Sequence, residues 1–331
     1  MGATHARAWQ SVEGAQLSAV VSSDAEKLAG ELSKITGNLD RGGERIDFKD
    51  ARRYGFFGEL ISDDAVDAVD LCTPSYLHAD QAVMALQAGK HVLVEKPMAT
   101  TFKDCRRMLV AAAASGKVLM VGHVLRFWPD YTAALKVVRS GQLGKLRSVF
   151  LRRKCAAPAW SPWLRDTSKS GGAVLDLLIH DFDFCRQLLG FPSRIEARGV
   201  EDSAKGIDLI EARLDYGGEG PQVVVSGGWH HPAGYPFSME FTLVCDEGTL
   251  DFRSGDRALT LYRADGRLET VEIPREDGFE AELSTFAAAC QAGKPPAVCP
   301  PDESADAVAM AIAADVSRSK AGTPVTVGRE S

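Results

Sequence analysis

The chain has 331 residues, 45% of them hydrophobic and 25% charged, with a formal net charge of -7. Those values are ordinary for a globular protein with buried cores. They argue against a nucleic-acid binder, which concentrates basic residues on one face. No apolar run reaches the roughly 18 residues of a membrane span, and the first residues lack the apolar segment of a secretory signal. The seven cysteines, Cys72, Cys105, Cys155, Cys185, Cys245, Cys290 and Cys299, are odd in number and widely spaced. Reduced thiols in a cytoplasmic protein are expected, with neither a disulfide framework nor a structural zinc site.

The predicted elements begin with a helical run, residues 3–12. Leu17–Ser23 reads as a strand and Ala25–Lys34 as a helix. Val66–Thr73 is the next strand, and residues 76–89 form a helix closed by glycine. His91–Val94 reads as a buried strand, residues 102–114 as a helix and Lys117–Gly122 as another strand. Strand and helix alternating at this spacing mean parallel βαβ units, hence a Rossmann-type sheet with ligands at the strand carboxyl ends. After about residue 122 the pattern changes. A helix at residues 130–139 leads to a strand at residues 146–154 and a long helix at residues 172–189. Short strands follow at residues 194–199, 207–216, 222–229, 238–245, 248–252, 258–262 and 268–273, as in an antiparallel sheet. Helices at residues 278–292 and 302–320 close the chain.

A Rossmann domain normally opens with a buried strand and Gly-x-Gly-x-x-Gly entering a helix. Here Gly2 stands where the last of those glycines would be. The expected fold is therefore an α/β Rossmann-type N-terminal domain lacking its first strand (residues 1–122). An α+β C-terminal domain with a large, mainly antiparallel sheet follows (residues 123–331), its last helix able to pack back on the first domain. The expectation is a start codon about ten codons upstream, the extended chain binding cofactor better.

Charge at a parallel strand's carboxyl end lies where ligands bind. His91-Val-Leu-Val ends in Glu95-Lys96-Pro97, and the preceding strand ends in Cys72-Thr73-Pro74, with His78 four residues on. Later, Gly171-Gly172 precede Asp176, His180, Asp181 and Asp183 in an apolar helical stretch. On one continuous helix Asp176 and His180 share a face, so the carboxylate can orient the imidazole and stabilise its protonated form. A satisfied buried pair is the plain alternative. Asp176, His180 and Asp183 as metal ligands is another, but no second ligand cluster accompanies them and no metal is expected.

Taken in order, Thr73-Pro74 with His78, Glu95-Lys96-Pro97, the segment from Val121 through Arg126 to Tyr131, and Gly171-Gly172 with Asp176 and His180 resemble the glucose–fructose oxidoreductase/inositol dehydrogenase/MocA family along essentially the whole chain. The departure is the absent glycine loop. The resemblance implies an NAD(P)-dependent oxidoreductase acting on a secondary alcohol of a sugar, inositol or related polyol. It assigns Lys96, Asp176 and His180 to catalysis: His180 as general base, Lys96 on the same oxygen and Asp176 holding His180, with the first two roles interchangeable. It places Gly2, Ser22, Ser23, Lys27, Thr73, Pro74, His78, Glu95 and Lys96 at the cofactor, and Arg126 and Trp163, with Trp160 beside it, at the substrate. Trp229-His230-His231 with Tyr235 reads either as pocket lining or as a surface turn. Ser22 at the strand end with Lys27 resembles NADP-preferring members, whereas Asp24 taking the acidic role gives NAD. A homo-oligomer, dimer or tetramer, is expected. A reductase or diol dehydrogenase of the same family and a silent cofactor- or sugar-binding regulator are the alternatives.

Overall fold

A computed structural model describes residues 1–33, 35, 37, 45–202 and 204–328. The chain forms two compact units, residues 1–124 with 277–305 and residues 125–276 with 306–331.

The first unit opens with helix α1 (Gly2–Ala8), continued by a 3-10 turn at Trp9–Ser11. Strand β1 (Ala19–Val21), α2 (Ala25–Leu28), β2 (Arg52–Tyr54) and α3 (Phe57–Ile61) follow. Helix α2 is one turn long, shorter than expected, and the expected end at Lys34 lies outside the described residues. Next come β3 (Ala68–Leu71), α4 (His78–Gln87), β4 (His91–Glu95), α5 (Phe102–Ser115) and β5 (Leu119–Gly122). Local chemistry sets the ends of α5. The Thr101 side chain accepts the Asp104 N–H at one end, and Gly116 takes a left-handed conformation at the other. All strand pairs here are parallel. Among the described residues they form two separate sheets, β1–β2 and β3–β4–β5.

The second unit carries α6 (Pro129–Arg139), β6 (Leu146–Ala156), α7 (Thr167–Ser170), α8 (Gly172–Asp176) and α9 (Ile179–Leu189). Strands β7 (Arg194–Asp202), β8 (Ile207–Asp215), β9 (Gln222–His231), β10 (Ser238–Cys245), β11 (Gly248–Arg253), β12 (Arg257–Arg263) and β13 (Leu268–Thr270) follow. Their alternating burial places one face on a core and the other toward solvent. The chain ends with α10 (Gly278–Ala292), α11 (Pro301–Ser319) and β14 (Val325–Thr326). The sheet has nine strands in the order β13-β12-β11-β10-β6-β9-β8-β7-β14. Only β6 and β9 run parallel.

Two expectations change. Residues 277–305, assigned from sequence to the second domain, belong to the first unit, because α10 packs along α1: Phe279 lies against His5 and Phe286 against Trp9, with ring centroids 6.0 and 6.4 Å apart. The long helix expected at residues 172–189 is interrupted. The N–H groups of both Leu177 and Leu178 turn back to the Ala173 carbonyl, each at 2.9 Å, and α9 starts afresh at Ile179.

Candidate active site

In the first unit the chemistry gathers at the ends of β3 and β4. Within residues 92–99 every side chain is buried except Lys96, which is partly exposed. Glu95, the last residue of β4, pairs in register with Gly122 of β5, and a Cβ at Gly122 would lie 3.4 Å from the Glu95 carboxylate. The glycine thus gives the carboxylate its room. Glu95 Oε1 lies 3.0 Å from His5 Nε2, and Glu95 Oε2 accepts the Lys96 backbone N–H at 3.0 Å. Burial pushes the Glu95 carboxyl up, but His5 and Lys96 outweigh it and hold its pKa at about 2.

His78 bridges the two strand-end turns. Its Nδ1 lies 2.8 Å from the Pro97 carbonyl and its Nε2 2.9 Å from the Thr73 carbonyl, while burial pushes its pKa down. Expected as cofactor contacts, Glu95 and His78 are engaged by protein groups: Glu95 ties the turn after β4, and His78 joins it to the turn after β3. Thr73 remains partly exposed, its hydroxyl donating to Gln81 at 2.6 Å, and Pro74 is likewise partly exposed.

At the end of β1, the Ser22 hydroxyl accepts the Asp24 N–H at 3.1 Å, and Ser23 and Lys27 are exposed. Asp24 is the cap of α2. Its carboxylate accepts the N–H groups of Glu26 and Lys27, at 2.9 and 3.3 Å, and lies 3.7 Å from the Lys27 ammonium. Gly2 is the first residue of α1, where a Cβ would sit 3.6 Å from the Cys72 Cβ, an ordinary contact.

In the second unit, Gly171 and Gly172 take φ values of +74° and +70°. Cβ atoms there would come within 2.3 Å of Leu175 and 2.4 Å of the Asp208 carboxylate, which accepts the Ala173 N–H at 2.6 Å. This tight, left-handed entry starts α8 and requires glycine. Residues 172–185 are all buried except Asp176 and His180. Asp176 ends α8 and His180 lies in the first turn of α9, so the break at residues 177–178 replaces the i, i+4 relation of one continuous helix.

Trp163 is half-buried against the cluster of Cys155, Leu164, Ala173, Leu177 and Trp229, which brings it beside α8. Trp160 is more exposed, at 44%. At the end of β9, His231 stacks on Tyr235 with ring centroids 3.7 Å apart, and Lys154 lies 5.7 Å from the Tyr235 ring centre.

Arg126 does not match its expected place at the substrate. Its side chain and that of Asp183 are each 1% exposed, and Nη2 and Nε reach the carboxylate at 2.6 and 3.0 Å. The same pairing removes Asp183 from any metal set. Arg153 and Asp181 form a second buried pair at 2.8 Å.

One cluster was not anticipated. His5, at 1% exposure, has Nδ1 2.9 Å from Asp70 Oδ2, and Trp9 Nε1 donates to the same oxygen at 2.8 Å. Cys72 Sγ lies 3.6 Å from Asp70 Oδ1, its thiol pushed up to about 11 by burial and the Asp70 charge. Although His5, Asp70 and Cys72 carry metal-ligand atoms, these are spent on one another and the thiol is held protonated. The sequence did hold a signal for this cluster: Asp70 is a charge inside a parallel strand whose two faces should both be apolar.

Comparison with known proteins agrees with this architecture. Residues 1–123 match the oxidoreductase family with an NAD-binding Rossmann fold, and residues 131–251 match the GFO/IDH/MocA C-terminal domain. The chain belongs to the Gfo/Idh/MocA family of oxidoreductases. A 1,5-anhydro-D-fructose reductase from Ensifer adhaerens is 34% identical over 178 residues, which is 53% of this chain and half the length of that protein. A scyllo-inositol 2-dehydrogenase (NADP(+)) from Bacillus subtilis is 27% identical over 77% of this chain and 69% of its own. The structure of a levoglucosan dehydrogenase in complex with NADH and levoglucosan shares the fold, with a TM-score of 0.83 and 22% identity over 99% of this chain and 96% of that one. No helix among the described residues is long and apolar enough to cross a membrane.

Proposed function

We propose that the protein transfers a hydride between NADP or NAD and a secondary alcohol of a sugar, inositol or related polyol. The observation that carries this reading is selective exposure. In two otherwise buried stretches, residues 92–99 and 172–185, the side chains that keep solvent access are Lys96 in the first and Asp176 and His180 in the second. Keeping an ammonium, a carboxylate and an imidazole accessible amid apolar packing is what a ligand site requires.

The residues at the strand ends fit a dinucleotide. Ser22, partly exposed just past β1, and the exposed Lys27 suit a ribose 2′-phosphate, while Asp24 is committed to capping α2. That favours NADP. Thr73, Pro74 and Lys96 lie at the carboxyl ends of the next two strands, where such folds bind ligands. When bound, the nicotinamide supplies the hydride acceptor. In this reading His180 takes the proton from the substrate hydroxyl, Asp176 favours the protonated imidazole, and the Lys96 ammonium stabilises negative charge developing on the oxygen. Trp163 offers a sugar ring an apolar face. The family resemblance further supports a homo-oligomer.

The test is a panel of inositols, aldoses and diols assayed for absorbance at 340 nm with each cofactor. Turnover of at least one cyclic polyol or aldose, faster with NADP+ than with NAD+, is expected. Turnover of none with either cofactor, although the dinucleotide binds, would instead identify a binding protein.

A further inference from the structure

Lys96 is held by its own backbone N–H and by the carbonyl of the next residue, Pro97, and the holding groups run deep into the first unit. On one side, Asp70 contacts His5 at 2.9 Å, His5 contacts Glu95 at 3.0 Å, and Glu95 accepts the Lys96 N–H at 3.0 Å. On the other, His78 Nδ1 meets the Pro97 carbonyl at 2.8 Å. His5 and His78 are each 1% exposed, and Glu95 is 5% exposed. We propose that His5, placed between Asp70 and Glu95, is a positioning residue that fixes the Lys96 N–H for catalysis, with His78 fixing the Pro97 carbonyl on the other side. The proposal rests on Lys96 acting on the substrate.

The chemistry of the chain explains why a histidine occupies the middle. An imidazolium places one positive charge between two carboxylates: Nδ1 lies within hydrogen-bond reach of Asp70, and Nε2 faces Glu95 at 3.0 Å as an ion pair without a hydrogen bond's alignment. Burial pushes the His5 pKa down, but Asp70 and its neighbours outweigh burial and raise it well above the ordinary value. Asp70 and Cys72, from the β3 end, raise it; the other titratable groups nearby are Glu95 and Lys96 from the β4 end and Glu282 from α10. Glu282 is fully buried with neither carboxylate oxygen hydrogen-bonded, and burial raises its pKa well above the carboxylate range. Burial thus favours its neutral form, which adds no third negative charge. A neutral His5 no longer attracts both carboxylates, so losing the imidazolium proton loosens the ion pair with Glu95. Because the folded pKa of His5 is raised, the clamp holds at pH below that raised value while the carboxylates stay ionised, and loosens as pH rises through it.

Two readouts on the full chain test this. The first is amide hydrogen exchange at Lys96, corrected for intrinsic rate. In the wild type, protection should fall by about tenfold or more as pH rises from the ordinary histidine range through the raised His5 pKa, and Asp70→Asn should move that loss to lower pH. The second is steady-state kinetics with scyllo-inositol and NADP+. His5→Gln should lower kcat by about 10- to 100-fold with KM changed less than about threefold, and should add little in a Lys96→Ala background. Protection that stays flat with pH in the wild type, a measurement needing no variant, overturns the proposal. A folded His5→Gln with Lys96 exchange and kcat within about twofold of wild type does the same. If Lys96→Ala itself keeps wild-type kcat, the catalytic reading of Lys96 fails, while the exchange data still decide whether His5 holds its peptide.

Discussion

Buried charge at single residues separates structural from functional roles. Arg126 is closed off with Asp183. Arg126→Met should therefore cost about 3–5 kcal/mol of stability by stranding a buried carboxylate, and adding Asp183→Leu should recover most of it. Thermal or denaturant unfolding checks this; a raised KM at unchanged stability would return Arg126 to the substrate. Glu282 makes a prediction about pH. Its folded pKa is raised, so the unfolded chain releases this proton at lower pH than the folded one. It therefore lowers stability as pH climbs above the ordinary carboxylate range. Glu282→Gln removes that slope, and its melting temperature relative to wild type should rise by about 2–4 °C between pH 5 and pH 8. A pH-independent difference would mean that Glu282 is ionised in the fold. The solvent access of Lys96, Asp176 and His180 was legible because charged types stood in apolar runs. The burial of Arg126 was not, since its partner lies 57 positions away and nothing local marks it.

Among the elements, those with strong local signals stand close to where the sequence places them. The capped helix α10 matches residue for residue, and the alternating strands β7 to β12 match to within a few positions. What escaped was set by contacts remote in sequence. The break between α8 and α9 contains neither glycine nor proline; Leu177 and Leu178 sit there because both are buried and both bond back to Ala173. Strand β2 and helix α3 are short, and β2 exists by pairing with β1. The entry to α8 should be intolerant of a side chain. Gly172→Ala combines a left-handed backbone with a clash at Asp208, and should cost about 1–3 kcal/mol in an unfolding titration. A variant as stable as wild type would show that Asp208 shifts freely, although it is also held by Arg318.

For the molecule as a whole, the change from parallel to antiparallel strands near residue 124 was visible in the spacing of apolar runs, and the two units follow it. The return of residues 277–305 to the first unit was not, because α10 carries an apolar face that suits either core. Its true partner, α1, is specified by Phe279 and Phe286 meeting His5 and Trp9. With α10 comes Glu282, so the late helix completes the surroundings of the Asp70–His5–Glu95 chain. The most direct measurement of the whole account is kcat for Lys96→Ala, with folding verified by circular dichroism, on the best substrate of the polyol panel with NADP+. The account predicts a fall of at least about 100-fold in a folded protein that still binds NADP+. Activity within about tenfold of wild type would contradict it.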